Sequence, residues 1–314
     1  MSANGQFPDE MNAGEFVRQE DAFRAMVSAD GSTPYGAEAG RYHLYVSLAC
    51  PWAHRTVIVR KLKGLEAAIG LTVLDPVRDE RGWAFRDGDG FSHDPINGFK
   101  FLSEAYLASQ PGYRGRYTVP VLWDKQTKRI VNNSEDDICR MFDGVFTPLG
   151  NGSATLFPAE FAAEHAKVAA DIYAHINNGV YRAGFATQQK VYEHACRDVF
   201  AALDRYDERL ATRRFLFGPR PVEADWRLFC TLVRFDAVYH GHFKCNLRRI
   251  VDYPALSGYL RDLYQQPGVV DTVRIDHIKR HYYATHDDIN PTRIVPIGPM
   301  LGFAAPAGRE HLSG

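Results

Sequence analysis

Residues 47–55 read S-L-A-C-P-W-A-H-R, and the residue in them best suited to nucleophilic chemistry is Cys50. Proline suits the first position of a helix, so Pro51 sets Cys50 at the N-terminus of the helix that Thr56-Val-Ile-Val-Arg-Lys-Leu continues. Unpaired N–H groups and the positive dipole end favour an anion there, and they lower a thiol pKa from about 8.5 by one to several units. Arg55, one turn on, adds positive charge. Position 53 is alanine, so the motif cannot close an internal disulfide, and a mixed disulfide on Cys50 must be resolved by an external thiol. The plainer alternative is a small hydrophobe filling space at a helix start.

The elements that must position this cysteine follow in order. The pattern predicts a strand at 42–48, a helix at 51–63, a strand at 70–77, a Gly/Asp-rich insertion at 78–98 and a helix near 100–108. A strand at 119–123, the turn Asp124-Lys-Gln-Thr-Lys, a strand at 129–132 and a helix at 135–142 come next. This β-α-β then α-β-β-α order is that of a thioredoxin-like sheet. In such sheets the Val119-Pro120 position carries a cis proline, and the preceding backbone pairs with a peptide ligand beside the active-site helix. The insertion 78–98 taken by itself reads as a solvated loop.

Residues 143–156 have linker composition, and beyond them apolar spacing predicts helices over 158–178, 188–211, 222–238, 253–265 and 271–283. The proline-interrupted run from Ile289 cannot be helical and reads as extended. The expected organisation is an N-terminal extension (1–40), a thioredoxin-like thiol-binding domain (41–145), an all-helical substrate domain (156–285) and an extended tail (286–314).

The bulk numbers narrow the function. With 314 residues, 45% hydrophobic and 24% charged, the chain suits two domains of an ordinary soluble protein. A formal net charge of -1 argues against nucleic acid and against an acidic membrane surface as partners. No apolar run is long enough to span a bilayer, and Met1 to Glu10 lacks the basic and apolar regions of a signal peptide, so a cytoplasmic protein is expected. The five cysteines (50, 139, 196, 230 and 245) are odd in number and widely spaced, as thiols in a reducing compartment would be. Cys139, Cys196 and Cys230 fall in apolar helical patterns and read as packed, inert thiols. Neither His240-Gly-His242 nor the run His281 to His286 has an acidic or thiolate partner at metal-binding spacing, so no metal is expected. Asp87-Gly-Asp-Gly neither follows a strand nor opens a helix, which makes it a poor phosphate loop.

S-x-A-C-P-W-A-H-R, T-V-P-V-L-W-D-K, V-N-N, N-N-G-V-Y-R-A-G-F-A, L-V-R-F-D-A-V-Y-x-G-H-F-K-C-N and I-K-R-H-Y-Y-x-x-H-x-x-I-N-P occur here in one order between about Gly14 and Pro299. By these motifs the chain resembles the xi class of glutathione transferases, the glutathionyl-hydroquinone reductases. The resemblance implies the glutathione transferase fold, a homodimer, glutathione as co-substrate and a quinone-derived aromatic thioether as substrate. It implies that Cys50 attacks the glutathione sulfur, and that Tyr181 and Tyr282 are aromatic-pocket tyrosines suited to proton donation. It also implies that Trp83 and Arg86 line the thiol site and that the Val119 backbone pairs with the cysteinyl part. Where the family usually has Glu-Ser after V-N-N, this chain has Ser134-Glu135, which leaves another low-molecular-weight thiol open. Val222 stands where transferases place a Ser or Thr cap. Two other functions remain: a general thiol transferase or disulfide reductase of the omega-like type using Cys50, and a non-catalytic ligand-binding protein with a transferase fold.

Overall fold

The computed structural model describes residues 11–312, so the N-terminal reading over residues 1–10 lies outside the described residues. Two short strands, β1 (Met11–Asn12) and β2 (Glu15–Phe16), pair antiparallel at the start. The chain then divides into two units. One comprises Gln19–Thr155 with Asp271–His281; the other comprises Leu156–Val270 with residues 11–18 and 282–312.

The first unit is built on a sheet of order β4-β3-β5-β6. β3 (Tyr42–Val46) runs parallel to β4 (Gly70–Val73) across the helix α1 (Pro51–Leu62), and antiparallel to β5 (Val121–Asp124). All five residues of β3 are buried, as befits a central strand covered on both faces. β5 and β6 (Arg129–Asn132) form the expected hairpin. Its turn is set by Asp124, whose carboxylate accepts from the Gln126 N–H at 3.0 Å and the Thr127 hydroxyl at 2.8 Å and takes both ends of the Arg41 fork. α2 (Leu102–Ser109) and α3 (Glu135–Asp143) complete the unit's long elements up to the linker.

Three strand boundaries fall short of the sequence pattern, β3 among them by ending at Val46 rather than at 48. β4 stops at Val73 because the Asp75 carboxylate captures the Val77 N–H at 2.9 Å, a side-chain turn that pulls the chain off the ladder. β5 starts after Pro120, which has no N–H to offer a neighbour. The insertion is no solvated loop at its centre: Trp83, Ala84 and Phe85 are buried. Buried Asp94 gathers it, accepting from the Tyr45 hydroxyl and from the N–H groups of Ile96, Asn97 and Phe99.

The second unit is helical. α4 (Ala162–Asp171) runs into a π-helical stretch (Ile172–Asn177), then α5 (Gly179–Gly184) and the long α6 (Gln189–Leu210). α7 (Glu223–Arg234) likewise ends in a π-helical stretch (Phe235–Tyr239), followed by α8 (Leu256–Tyr264). α9 (Ile275–Thr285) is divided between the units after His281. Arg309 ties the non-helical tail down, donating to the Leu210 carbonyl at 2.7 Å and the Ala255 carbonyl at 3.2 Å. A cation on the last carbonyl of α6 also suits that helix's dipole. No helix among the described residues is long and apolar enough to cross a membrane.

Val222 brings no hydroxyl to the start of α7, and Asp225 supplies the compensation. Its carboxylate accepts from the N–H groups of Val222 (2.8 Å) and Leu216 (2.9 Å) and from the Tyr259 hydroxyl (2.7 Å). Burial pushes this carboxyl up to about 6 against those donors. An unfolded aspartate titrates near pH 4, so between about pH 4 and 6 the folded chain holds the extra proton. The group's contribution is therefore full below that window and is lost as pH rises through it. Asp225→Asn is expected to cost about 2 kcal/mol at neutral pH by facing an amide donor with N–H donors. The gap in thermal midpoint between wild type and Asp225→Asn should widen from pH 7 to pH 4; a constant gap would contradict the assignment.

Candidate active site

In the sheet unit, Cys50 is the N-cap of α1, in extended conformation, with Pro51 in the first helical position. Its N–H donates to the Ser47 carbonyl at 3.1 Å and its carbonyl accepts from His54 N–H at 3.0 Å, which fixes the entry into the helix. The thiol lies at the edge of burial, 9% exposed, and points at the Val119 carbonyl at 3.7 Å. The Val119-Pro120 bond is cis. The segment carrying it is clamped by side chains: Tyr106 hydroxyl donates to the Thr118 carbonyl at 2.8 Å, and the Asn133 amide donates to the Thr118 hydroxyl at 3.1 Å. The V-N-N and T-V-P motifs thus act together, one holding the other in place beside the cysteine.

Arg55, expected to add charge at the thiol, is engaged by carboxylates. Its buried guanidinium pairs with Glu135 at 3.3 Å and with Asp136, tying α1 to the first turn of α3. Ser134 caps α3 and is buried, its N–H donating to the Asn132 carboxamide oxygen at 2.7 Å. Glu135, Asp136 and Asp137 follow it, so the helix start presents carboxylates as well as N–H groups.

Trp83 is held between two groups. The His281 ring stacks on it at 5.0 Å and the Arg78 guanidinium lies 5.0 Å from the ring centre. His281 Nδ1 carries the hydrogen, since its partner at 2.8 Å is the Pro76 carbonyl. Arg86 is 44% exposed at its side chain and binds Asp75 and Asp79, each at 3.1 Å. Arg81 first, and Arg86 behind it, hold Asp79 down to about 2, so Arg86 links the insertion to Asp75 in the turn that ends β4.

In the helical unit, Tyr181 and Tyr282 meet. Their hydroxyls hydrogen-bond each other, and Tyr282 also shares a 2.8 Å bond with the hydroxyl of Tyr239. Tyr239 was missed in the sequence, although it lies inside the quoted F-D-A-V-Y-x-G-H-F-K motif. Its helical spacing resembled core packing, and only its position at the end of a π-helical stretch distinguishes it. Tyr239 and Tyr282 are fully buried and Tyr181 is partly exposed. Burial pushes both inner phenols far above their ordinary range, while the buried Arg234 cation opposes it. Tyr239 and Tyr282 are therefore protonated hydroxyls at neutral pH. Either hydroxyl can donate in each of these two bonds, so the three phenols form one chain of hydroxyls.

Close packing keeps the trio in register. Phe243 stacks on Tyr239 and sits edge-on to Tyr181 and Tyr282, each at about the same separation of 5.4 to 5.5 Å. A Cβ on Gly184 would lie 2.2 Å from the Phe243 ring and one on Gly179 would lie 2.9 Å from Val199, so both glycines of N-N-G-V-Y-R-A-G are needed for the approach. His242 and His286 contact each other at 3.2 Å beside Tyr282. Among the described residues no group of three or more His, Cys, Asp or Glu is placed to hold a metal ion.

Comparison with known proteins finds relatives along most of the chain. The family model "Glutathione S-transferase, N-terminal domain" matches residues 49–145, and "Glutathione S-transferase, C-terminal domain" matches residues 189–262. The chain is 48% identical to glutathionyl-hydroquinone reductase PcpF of Sphingobium chlorophenolicum, over 92% of this chain and 91% of that protein. It is also 48% identical to glutathionyl-hydroquinone reductase YqjG of Escherichia coli, over 95% and 93%. The glutathione-bound structure of YqjG superposes with a TM-score of 0.89, covering 92% of this chain and 96% of that one. A xi class transferase from Natrialba magadii superposes with a TM-score of 0.91 at 49% identity, covering 92% and 89%.

Proposed function

The chain belongs to the xi class of glutathione transferases, and from that premise we propose that it is a glutathionyl-hydroquinone reductase working through Cys50. The observation that carries the reading is the Cys50 thiol at the N-terminus of α1, facing the Val119 carbonyl. In the first half-reaction the Cys50 thiolate attacks the glutathione sulfur of the conjugate. The carbon–sulfur bond breaks, and its electron pair leaves with the ring. The ring reacts as its keto form, already protonated at the sulfur-bearing carbon, so the electron pair rearomatises it through the carbonyl and it leaves as hydroquinone rather than as a bare aryl anion, a poor leaving group. In the second half-reaction the thiolate of a second glutathione attacks the Cys50 mixed disulfide and frees glutathione disulfide. The net change is conjugate plus glutathione to hydroquinone plus glutathione disulfide, the thiol proton ending on the ring.

The tyrosines serve the first half-reaction. With Tyr239 donating to Tyr282 and Tyr282 donating to Tyr181, the chain of hydroxyls ends at Tyr181, its least buried member. Tyr181 then donates to the ring oxygen on which charge collects, and the two inner hydroxyls support the charge it takes up. Trp83, Arg86, the Val119 backbone and the Ser134-Glu135 helix start receive glutathione. Ser134 and the carboxylate of Glu135 exchange the duties of the family's Glu-Ser, with Arg55 steadying Glu135. The protein works as a cytoplasmic homodimer, a reading supported by its thiol cysteines and its family.

Purified protein given glutathionyl-hydroquinone and excess glutathione should release hydroquinone and glutathione disulfide one for one. Reduction of simple mixed disulfides without thioether cleavage would replace this reading with a general thiol transferase, and no turnover of either would leave a binding protein. Cleavage only of conjugates of another cellular thiol would reassign the co-substrate and keep Cys50 as nucleophile.

A further inference from the structure

Two other cysteines meet away from Cys50. Cys196 lies on α6 and Cys245 in the turn after the second π-helical stretch; they are 4% and 0% exposed. They are close enough for each thiol to act on the other's ionisation, and Cys245 Sγ points at the Phe243 carbonyl at 3.9 Å. Cys196 Sγ points at the Lys244 carbonyl at 4.0 Å, and the Tyr192 hydroxyl, one helical turn earlier, donates to the same carbonyl at 2.7 Å. The turn itself is fixed by the Cys245 N–H donating to the Tyr239 carbonyl at 3.0 Å and by Lys244 in the left-handed region. Two thiols and a phenol are thus gathered round one peptide group, which is more than the packed, inert thiol expected of Cys196.

The electrostatics of the pair are unequal. Cys245, helped by the Asn246 N–H, holds the Cys196 thiol down to about 7. Accepting no such support, Cys245 is pushed the other way by Cys196 and by burial. One sulfur is suited to attack an oxidant and the other to resolve the product.

We propose that Cys196 and Cys245 form a second, peroxide-reactive dithiol that closes a reversible disulfide between α6 and the 240–245 turn. The Cys196 thiolate attacks one oxygen of hydrogen peroxide, breaking the O–O bond and becoming a sulfenic acid as hydroxide leaves. The Cys245 sulfur then attacks the sulfenic sulfur, and the hydroxyl departs with the Cys245 proton as water. Two thiols lose two hydrogens and one peroxide becomes two waters. Hydrogen peroxide is named as the oxidant because sulfurs this buried call for a small one. The new bond would sit directly behind Phe243, which packs against Tyr181 and Tyr282.

The test uses the full-length Cys50→Ser protein, so that the Cys50 thiol does not compete for hydrogen peroxide. Intact mass after peroxide should fall by two hydrogens, and proteolysis should yield a reducible peptide joining Cys196 to Cys245. With Cys245→Ser added, dimedone should trap a sulfenic acid on Cys196. Should that variant not fold, the peptide map alone decides. Cys196 and Cys245 remaining as alkylatable after peroxide as Cys139 and Cys230, or Cys196 passing to a sulfinic acid with Cys245 present, would overturn the proposal.

Discussion

Cys50→Ser is expected to lower glutathionyl-hydroquinone cleavage by at least ~10³-fold while leaving the fold as stable as before. The separation of the two effects follows from the position. Cys50 is a helix N-cap, and serine is among the best N-cap residues, so the variant should keep or raise the thermal midpoint. The same helix start that favours a thiolate cannot ionise an alcohol near neutral pH, so the nucleophile is lost with the structure intact. Intact mass gives the direct readout. Wild type exposed to glutathionyl-hydroquinone with no free thiol should gain one glutathione and release hydroquinone, and the variant should gain nothing. An undiminished rate in a well-folded Cys50→Ser protein would remove Cys50 from the mechanism.

The second large effect is expected at the hydroxyl chain. Tyr181→Phe should lower kcat for thioether cleavage by about 10²-fold, the usual yield of a positioned proton donor. Tyr282→Phe and Tyr239→Phe should cost progressively less activity, because each lies one hydrogen bond further from the exposed end. Tyr282→Phe should carry the largest stability loss of the three, about 1–3 kcal/mol, since it removes the hydroxyl that bonds both the buried Tyr239 and Tyr181. The double variant Tyr181→Phe with Tyr282→Phe should lose little beyond Tyr181→Phe alone, as residues acting in series do. The discriminating measurement is the second half-reaction. Attack of glutathione on a preformed Cys50 mixed disulfide needs no proton on a ring, so all three variants should perform it at the wild-type rate. Equal slowing of both half-reactions would make the tyrosines structural only.

Much of this molecule was legible in short stretches. Cys50-Pro51 at a helix start, the Asp124 to Lys128 turn between two strands, and the apolar spacing of α6 to α9 each depend on residues a few positions apart. A contiguous stretch contains all the partners such features need, so local preference and burial pattern suffice. The same holds for the limits of the reading. α5 was not anticipated because a short helix bounded by Gly179 and Gly184 has no helical propensity of its own; its glycines are explained only by Val199 and Phe243 packed against them.

What tertiary structure alone decided is which distant groups share a proton or a charge. Tyr181 and Tyr282 are 101 residues apart and Tyr239 and Tyr282 are 43 apart, and nothing in their local sequence separates a packed phenol from a member of a hydroxyl chain. Arg55 looked like support for a thiolate and is shared with Glu135 and Asp136 on another helix. Trp83 and Phe85 looked like parts of a surface loop until Asp94 folded that loop inward. Residue type and spacing set what chemistry is available along the chain; hydrogen bonds of a few ångströms set which of it is used, and those exist only once packing has brought remote segments together.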